Sequence, residues 1–400
     1  MRSLAMFSDR VSPRKRGGAL YATLLLSVFF LLFFASGFAA QRMVGLHRAR
    51  AYDRPLGVFW EAWDLLETHY YGDLPSARSR TYGAIRGALE LLTDPYTIFL
   101  EPEPSEVERG RLAGSYGGIG VNLWRDGDGD VILSPYPDSP AEEAGARDGD
   151  ILLEVNGYSV RTATLDDIRV RLRGEVGSTV ELTLSRPPTL PFGLAVLRAE
   201  ISIPSVTYRI LDRHPSIGYI HITSFTTRTP DEAREAVEGL KERGAAWLVL
   251  DLRDNGGGLI SPASDVADLF LDGGVVLYET RSGGERTTFS AHPDGVASDL
   301  PLVVLVNGST ASAAEIVAGA IQTRGRGVLI GDSTFGKGSI QLIYTLSDGS
   351  SLHVTTAVWH LPDDQRIGPD GLRPDILLAS TDEMEDIQLN RAVRYIQTGE

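Results

Sequence analysis

Ser312 and Lys337, 25 positions apart, could share one reaction: acyl transfer by a hydroxyl whose proton is taken by an amine. Ser312 opens Ser312-Ala-Ala-Glu315 at the edge of a helical pattern with Ala313, Ile316, Val317, Ala320 and Ile321 on one face. A serine there has two uses. It can cap the helix, because Ser-x-x-Glu is a capping-box pattern, or it can act as a nucleophile whose oxyanion is held by the helix's unpaired N–H groups. The motif alone leaves both open. Lys337 lies in Gly331-Asp-Ser-Thr-Phe-Gly336-Lys337-Gly338, after the apolar Val328-Leu-Ile330. This nearly matches the phosphate loop G-x-x-x-x-G-K-S/T. Gly338, however, stands where the Mg²⁺-binding hydroxyl belongs, and Ile340, Leu342, Tyr344 and Leu346 alternate like a strand where that loop needs a helix. A nucleotide site is therefore rejected. A lysine can instead serve as general base if burial brings its pKa from ~10.4 toward ~7–8, a change of roughly 4 kcal/mol.

Composition gives Lys337 added weight. Of 38 basic residues only Lys15, Lys241 and Lys337 are lysines, and arginine cannot be deprotonated in a protein. Lys15 belongs to a basic flank and Lys241 to the last turn of a helix, where a cation suits the dipole. Other chemistries drop out. Zero cysteines exclude thiolate nucleophiles, zinc-thiolate sites and disulfides. The seven histidines (His47, His69, His214, His221, His292, His353, His360) form no H-E-x-x-H pair, and no G-x-S-x-G elbow occurs. The Asp126–Asp130 cluster fails as an EF-hand, whose sixth and twelfth positions would be Val131 and Pro137, and is read as a hairpin turn. No metal and no cofactor are expected.

The elements that must position the pair alternate strand and helix. Ile217–Ile220 reads as a strand, and Thr229-Pro-Asp-Glu232 as a capping box opening a helix that ends before Gly244. Trp247–Leu250 and Leu302–Val306 are unbroken apolar runs of the kind seen in buried parallel strands. Each feeds a polar loop, Asp251-Leu-Arg-Asp-Asn-Gly-Gly-Gly258 and Asn307-Gly-Ser-Thr310, and such strand-to-helix loops are where parallel sheets bind ligands. Both loops are expected to border one site.

Upstream, residues 114–200 change to short strands and turns, with Tyr116-Gly117-Gly118-Ile119-Gly120-Val121 and a Ser139-Pro-Ala, Ala144-Gly, Gly149-Asp, Val155-Asn-Gly157 series. This segment resembles a PDZ domain. A glycine-rich turn leaves N–H groups open to a terminal carboxylate beside a strand edge that accepts an added strand; use of the fold only for packing is the alternative. Residues 53–71 and 79–92 read as amphipathic helices of a small subdomain, their aromatics assigned to its core.

Residues 19–40 are uncharged and apolar after Arg14, Lys15 and Arg16. As a helix they would cover roughly 33 Å, enough for a membrane span, and their length favours a retained anchor over a cleaved signal peptide. Basic residues flank both ends, so they do not orient the span. With 400 residues the chain suits two or three domains, and a formal charge of −15 argues against a nucleic-acid partner.

Tyr82-Gly-Ala-Ile-Arg-Gly87, Asp94-Pro-Tyr-Thr97, the PDZ-like segment, Asp251-Leu-Arg253 with Gly257-Gly258, Ser312 within Asn307–Ala318, Thr334-Phe-Gly-Lys-Gly338 with Gln341, and Gly371-Leu-Arg-Pro-Asp375 together resemble the carboxyl-terminal processing (tail-specific) protease family, over roughly residues 60–380. The resemblance implies an α/β, crotonase-like peptidase core with an inserted PDZ domain. It implies Ser312 as nucleophile, Lys337 as general base, Gln341 as the residue positioning the lysine, and an oxyanion hole from the N–H of Ala313 and of Gly257 or Gly258. Tyr116, Gly117, Gly118, Ile119 and Gly120 would bind the substrate's carboxyl terminus. Four residues along a strand span ~13 Å, so contact between Gln341 and Lys337 requires a bend or bulge near Gly338. Thr310, Ala314 and Gly256 depart from the family's usual Ser, Ser and Pro or Ser, which touches the oxyanion geometry and the helix start.

The expected organisation is a cytoplasmic tail (1–18), an anchor or signal segment (19–40), a helical subdomain (41–113), a PDZ domain (114–200), a peptidase core (201–380) and a terminal helix (381–400). The expected protein is a single-pass cell-membrane serine endopeptidase, its catalytic domain periplasmic or otherwise extracytoplasmic, acting on polypeptides with free carboxyl termini; homo-oligomers are compatible with this reading. A silent peptide-binding scaffold is the rival, and an acyl-CoA enzyme is disfavoured because no adenine or phosphate site is recognisable.

Overall fold

A computed structural model describes residues 56–379 and 385–399. No helix among them is long and apolar enough to cross a membrane; the span expected over 19–40 lies outside the described residues. The chain divides into two compact units, up to Thr81 and from Tyr82 onward.

In the first unit, residues 56–69 are helical as expected. Their aromatics, assigned to a core from periodicity, are not in one: Phe59 and Trp60 are exposed, and Phe59 stacks on Trp63 at 6.1 Å between ring centroids. A helical stripe shows which face is apolar, not what covers it.

The second unit is built on a six-stranded sheet ordered Val206–Leu211, His214–Ile222, Trp247–Asp251, Leu302–Val306, Gly327–Gly331, Ile376–Leu377, parallel except for its first pair. The two apolar runs of the sequence are its central strands, and alternation divides them between two cores. Leu248, Leu250, Leu302, Val304 and Val306 face the helices Thr229–Glu242, Ile260–Phe270 and Ala313–Thr323. Val249, Val303 and Leu305 face the helix Ile387–Thr398. Burial on both faces is why no polar alternation marks these strands. The helix at Thr229 forms, but its expected capping box does not. Glu232 accepts instead from the N–H groups of Ser205 and Val206 and from the Ser205 hydroxyl, which ties the helix start to the head of the first strand.

A second, antiparallel sheet covers the first helix layer. Its central strand, Ser351–His360, pairs with Ser339–Thr345 on one side and with Ile98–Leu100 and Gly274–Arg281 on the other. Between them in sequence, residues 115–202 form a six-stranded antiparallel sheet and a short two-stranded ladder around their own core. The Asp126–Asp130 cluster is the expected hairpin turn: Asp126 Oδ1 accepts the N–H of Asp128 and Asp130, and Arg125 faces Val131.

Candidate active site

Adjacent parallel strands deliver the two loops to one place. Ala311 N–H donates to the Asn255 carbonyl at 2.9 Å, and the buried Thr310 hydroxyl donates to the Leu252 carbonyl at 2.8 Å. Ser312 follows at the N-cap of Ala313–Thr323 with φ 55° and ψ −117°. That is a strained backbone for a residue with a Cβ, costing about 1–3 kcal/mol. It is also how a sharp strand-to-helix turn presents a side chain. Gly257 explains how the loops come so close. A Cβ built on it would lie 2.9 Å from Ser312 Cβ and 3.1 Å from Ala313 N, so only glycine lets its peptide run beside the serine.

The two glycines differ in their donors. Gly257 N–H is committed to Asn255 Oδ1 at 2.9 Å, and Asn255 is itself anchored by Nδ2 to the Ile222 carbonyl. Among the described residues the N–H groups of Gly258 and Ala313 find no acceptor. Unpaired donors beside a serine can hold a negative oxygen.

Glu315 binds the serine to the lysine. It is fully buried, and its Oε2 accepts the N–H of Ser312 at 2.8 Å and of Lys337 at 2.9 Å. Its Oε1 accepts the Thr334 hydroxyl at 2.6 Å and Gly336 N–H at 2.8 Å. The capping-box pattern is present, but the carboxylate reaches well beyond the helix end. In the sequence only the cap is visible. The available signal was that Glu315 is the sole charge in the otherwise apolar Ala313–Thr323 helix.

Lys337 is held by its backbone on both sides, its carbonyl accepting the Trp359 indole N–H at 3.0 Å. Its neighbouring glycines sit against bare backbone: a Cβ on Gly336 would lie 2.5 Å from the Gly368 carbonyl oxygen, one on Gly338 2.5 Å from that of Ile367, and one on Gly371 2.2 Å from that of Thr334. The side chain is less restrained. Nζ lies 4.9 Å from the centre of the Tyr96 ring and makes no hydrogen bond to Ser312. Burial pushes the amine below its ordinary value, against the opposing carboxylates of Asp94, Glu108 and Glu315.

Gln341 makes no hydrogen bond to Lys337. Its Nε2 donates to Ser339 Oγ at 2.9 Å and Thr355 Oγ1 at 3.2 Å, and the register between strands slips at Ile340/Gln341, where the spacing called for a bulge. The remaining lysine within the described residues, Lys241, is engaged by Asp299 and the Val296 carbonyl.

Within residues 115–202, Val121–Arg125 is an edge strand. A cavity of about 300 Å³ beside it is lined by Tyr116, Gly118, Ile119, Gly120, Arg169 and Leu172, among others. Among the described residues the N–H groups of Ile119 and Gly120 have no acceptor, although the Ile119 side chain points into the core. Gly117 lies outside this cleft, its carbonyl accepting Gly174 N–H.

Residues 216–378 match the model of peptidase family S41, and residues 131–186 match a PDZ domain. A chloroplastic C-terminal processing peptidase of Tetradesmus obliquus is 37% identical over 86% of this chain and 78% of its own length. A carboxyl-terminal-processing protease of Synechocystis is 35% identical over 84% and 82%. The chain belongs to peptidase family S41. A solved structure titled photosystem II D1 C-terminal processing protease is 36% identical, covering 86% of this chain and 95% of that one, with a TM-score of 0.48. By its family match and its curated relatives, this S41 enzyme is a serine-type peptidase of the C-terminal processing kind, carrying a PDZ domain. Its family match spans both parallel-strand loops, Glu315 and Lys337.

Proposed function

We propose that this peptidase cleaves polypeptides near their carboxyl termini with Ser312 as nucleophile and Lys337 as general base. The observation that carries the reading is Ser312 itself, strained at a helix N-terminus between the unpaired N–H groups of Gly258 and Ala313. Ser312 Oγ attacks the scissile carbonyl while neutral Lys337 takes its proton, and the oxyanion forms against Gly258 and Ala313. The C–N bond then breaks, the lysine returns its proton to the leaving amine, and water repeats the sequence on the acyl-enzyme. Gln341 contributes at one remove, tying Ser339, at the start of the strand that follows the lysine, to Thr355 on its partner strand.

In the same reading the cleft beside Val121–Arg125 takes the substrate tail as an added strand, its carboxylate on the Ile119 and Gly120 amides. Residues 19–40 would hold the enzyme at the cell membrane, as their apolar length supports, and the catalytic unit would face away from the cytoplasm.

The test uses a peptide with a free apolar tail. Folded Ser312→Ala and Lys337→Ala should each lose cleavage, and full activity in either sinks the pair. Amidating the tail should raise KM more than it lowers kcat; unchanged kinetics would remove the tail-binding role.

A further inference from the structure

Tyr96 has no role in the mechanism above, yet the lysine lies on it. The turn Asp94-Pro-Tyr-Thr97 is tied to the second sheet. Asp94 accepts Tyr96 N–H at 3.1 Å and the Thr97 hydroxyl at 2.6 Å, and Thr97 Oγ1 in turn accepts Thr355 N–H at 3.1 Å. Thr355 also receives the Gln341 amide and bonds to Asp94. Three segments distant in sequence thus fix the turn that carries the half-buried Tyr96, and Lys337 Nζ lies 4.9 Å from the centre of its ring. That is cation–π distance.

We propose that the Tyr96 ring face is the seat of the Lys337 ammonium, making Tyr96 a positioning residue that holds the charged lysine away from Ser312. The proposal rests on Lys337 being the base. An ammonium on an aromatic face is stabilised relative to the free amine, so the seat competes with proton release, and a neutral amine is freer to swing to Ser312. The charged groups around Nζ come from every neighbouring element: Asp94 in the turn, Glu108 and Arg111 on the helix Pro102–Ala113, Glu315 below, and His353 on the adjoining strand. Of these, only the turn that carries Asp94 also supplies an aromatic face to the lysine.

Because the chain has three lysines, the seat can be read without catalysis. The pH dependence of acetic anhydride labelling, followed by mass spectrometry on the full chain, gives a midpoint for Lys337 with Lys241 as internal reference. Tyr96→Leu should lower the Lys337 midpoint by about half to one pH unit and leave Lys241 in place, while Tyr96→Phe, which keeps the ring, should match the parent. The acid limb of kcat/KM should move with the midpoint. An unmoved Lys337 midpoint in Tyr96→Leu overturns the seat. A moved midpoint with an unmoved acid limb upholds the seat and refutes the lysine as base. If Tyr96→Leu fails to fold, Tyr96→Met removes the ring at similar length and is read the same way.

Discussion

Ser312 and Lys337 donate their backbone N–H groups to the same oxygen, Oε2 of Glu315. The helix start and the lysine's loop are therefore one hydrogen-bonded assembly, and a third residue sets their two backbones side by side.

Glu315→Gln replaces an acceptor of four donors with a group that must turn an N–H toward some of them. Leaving buried donors unpaired costs about 2–4 kcal/mol in total. The expected result is a lower urea midpoint and a fall in kcat larger than any change in KM; native stability together with native kcat would show that the carboxylate is dispensable.

Ser312→Gly relieves a backbone conformation that glycine alone adopts freely. Stability should rise by about 0.5–1.5 kcal/mol while activity disappears, measured by chemical denaturation beside a peptidase assay. A destabilised glycine variant would place the strain elsewhere.

Lys337 carries a pH prediction of definite sign. Burial holds its folded-state pKa below 10.5. A general base works unprotonated, so with Lys337 in the proposed role kcat/KM should rise with pH through that lowered value as a single ionisation. Stability follows the same linkage: the desolvation penalty on the ammonium is fully present below the folded pKa and is relieved as pH climbs toward the unfolded value. Lys337→Met should then be inactive but at least as stable as the parent at pH 7, with the gap closing in alkali. Lys337→Arg should be inactive at every pH.

Gly257→Ala forces a methyl group against Ser312 Cβ and the Ala313 amide. A fold that survives should lose about 10²-fold or more in kcat, with tail binding to the PDZ segment unchanged by direct titration.

Much of this was legible in the chain. Leu302–Val306 announced a buried parallel strand because both its faces are covered, and the alternation from Ile340 correctly ruled out a phosphate loop. The scarcity of lysine singled out Lys337. Other features were hidden for physical reasons. Glu232 and Glu315 both fit local capping patterns, and only the tertiary fold shows that their carboxylates serve other segments. The choice between Gly257 and Gly258 depends on which N–H Asn255 has already claimed. Gln341 was assigned through resemblance, and its partners, Ser339 and Thr355, are set by a strand pairing that spacing does not reveal. The Phe59 and Trp60 side chains show the opposite error, an apolar stripe mistaken for a core.

The backbone contacts beneath Gly336, Gly338 and Gly371 bear on how this enzyme can vary. Each position rejects any side chain because a carbonyl of another loop already occupies the space. In a saturation mutational survey these glycines should be as intolerant as Ser312 while contributing no reacting group, so the harshest substitutions would trace the outline of the lysine's loop as well as its chemistry.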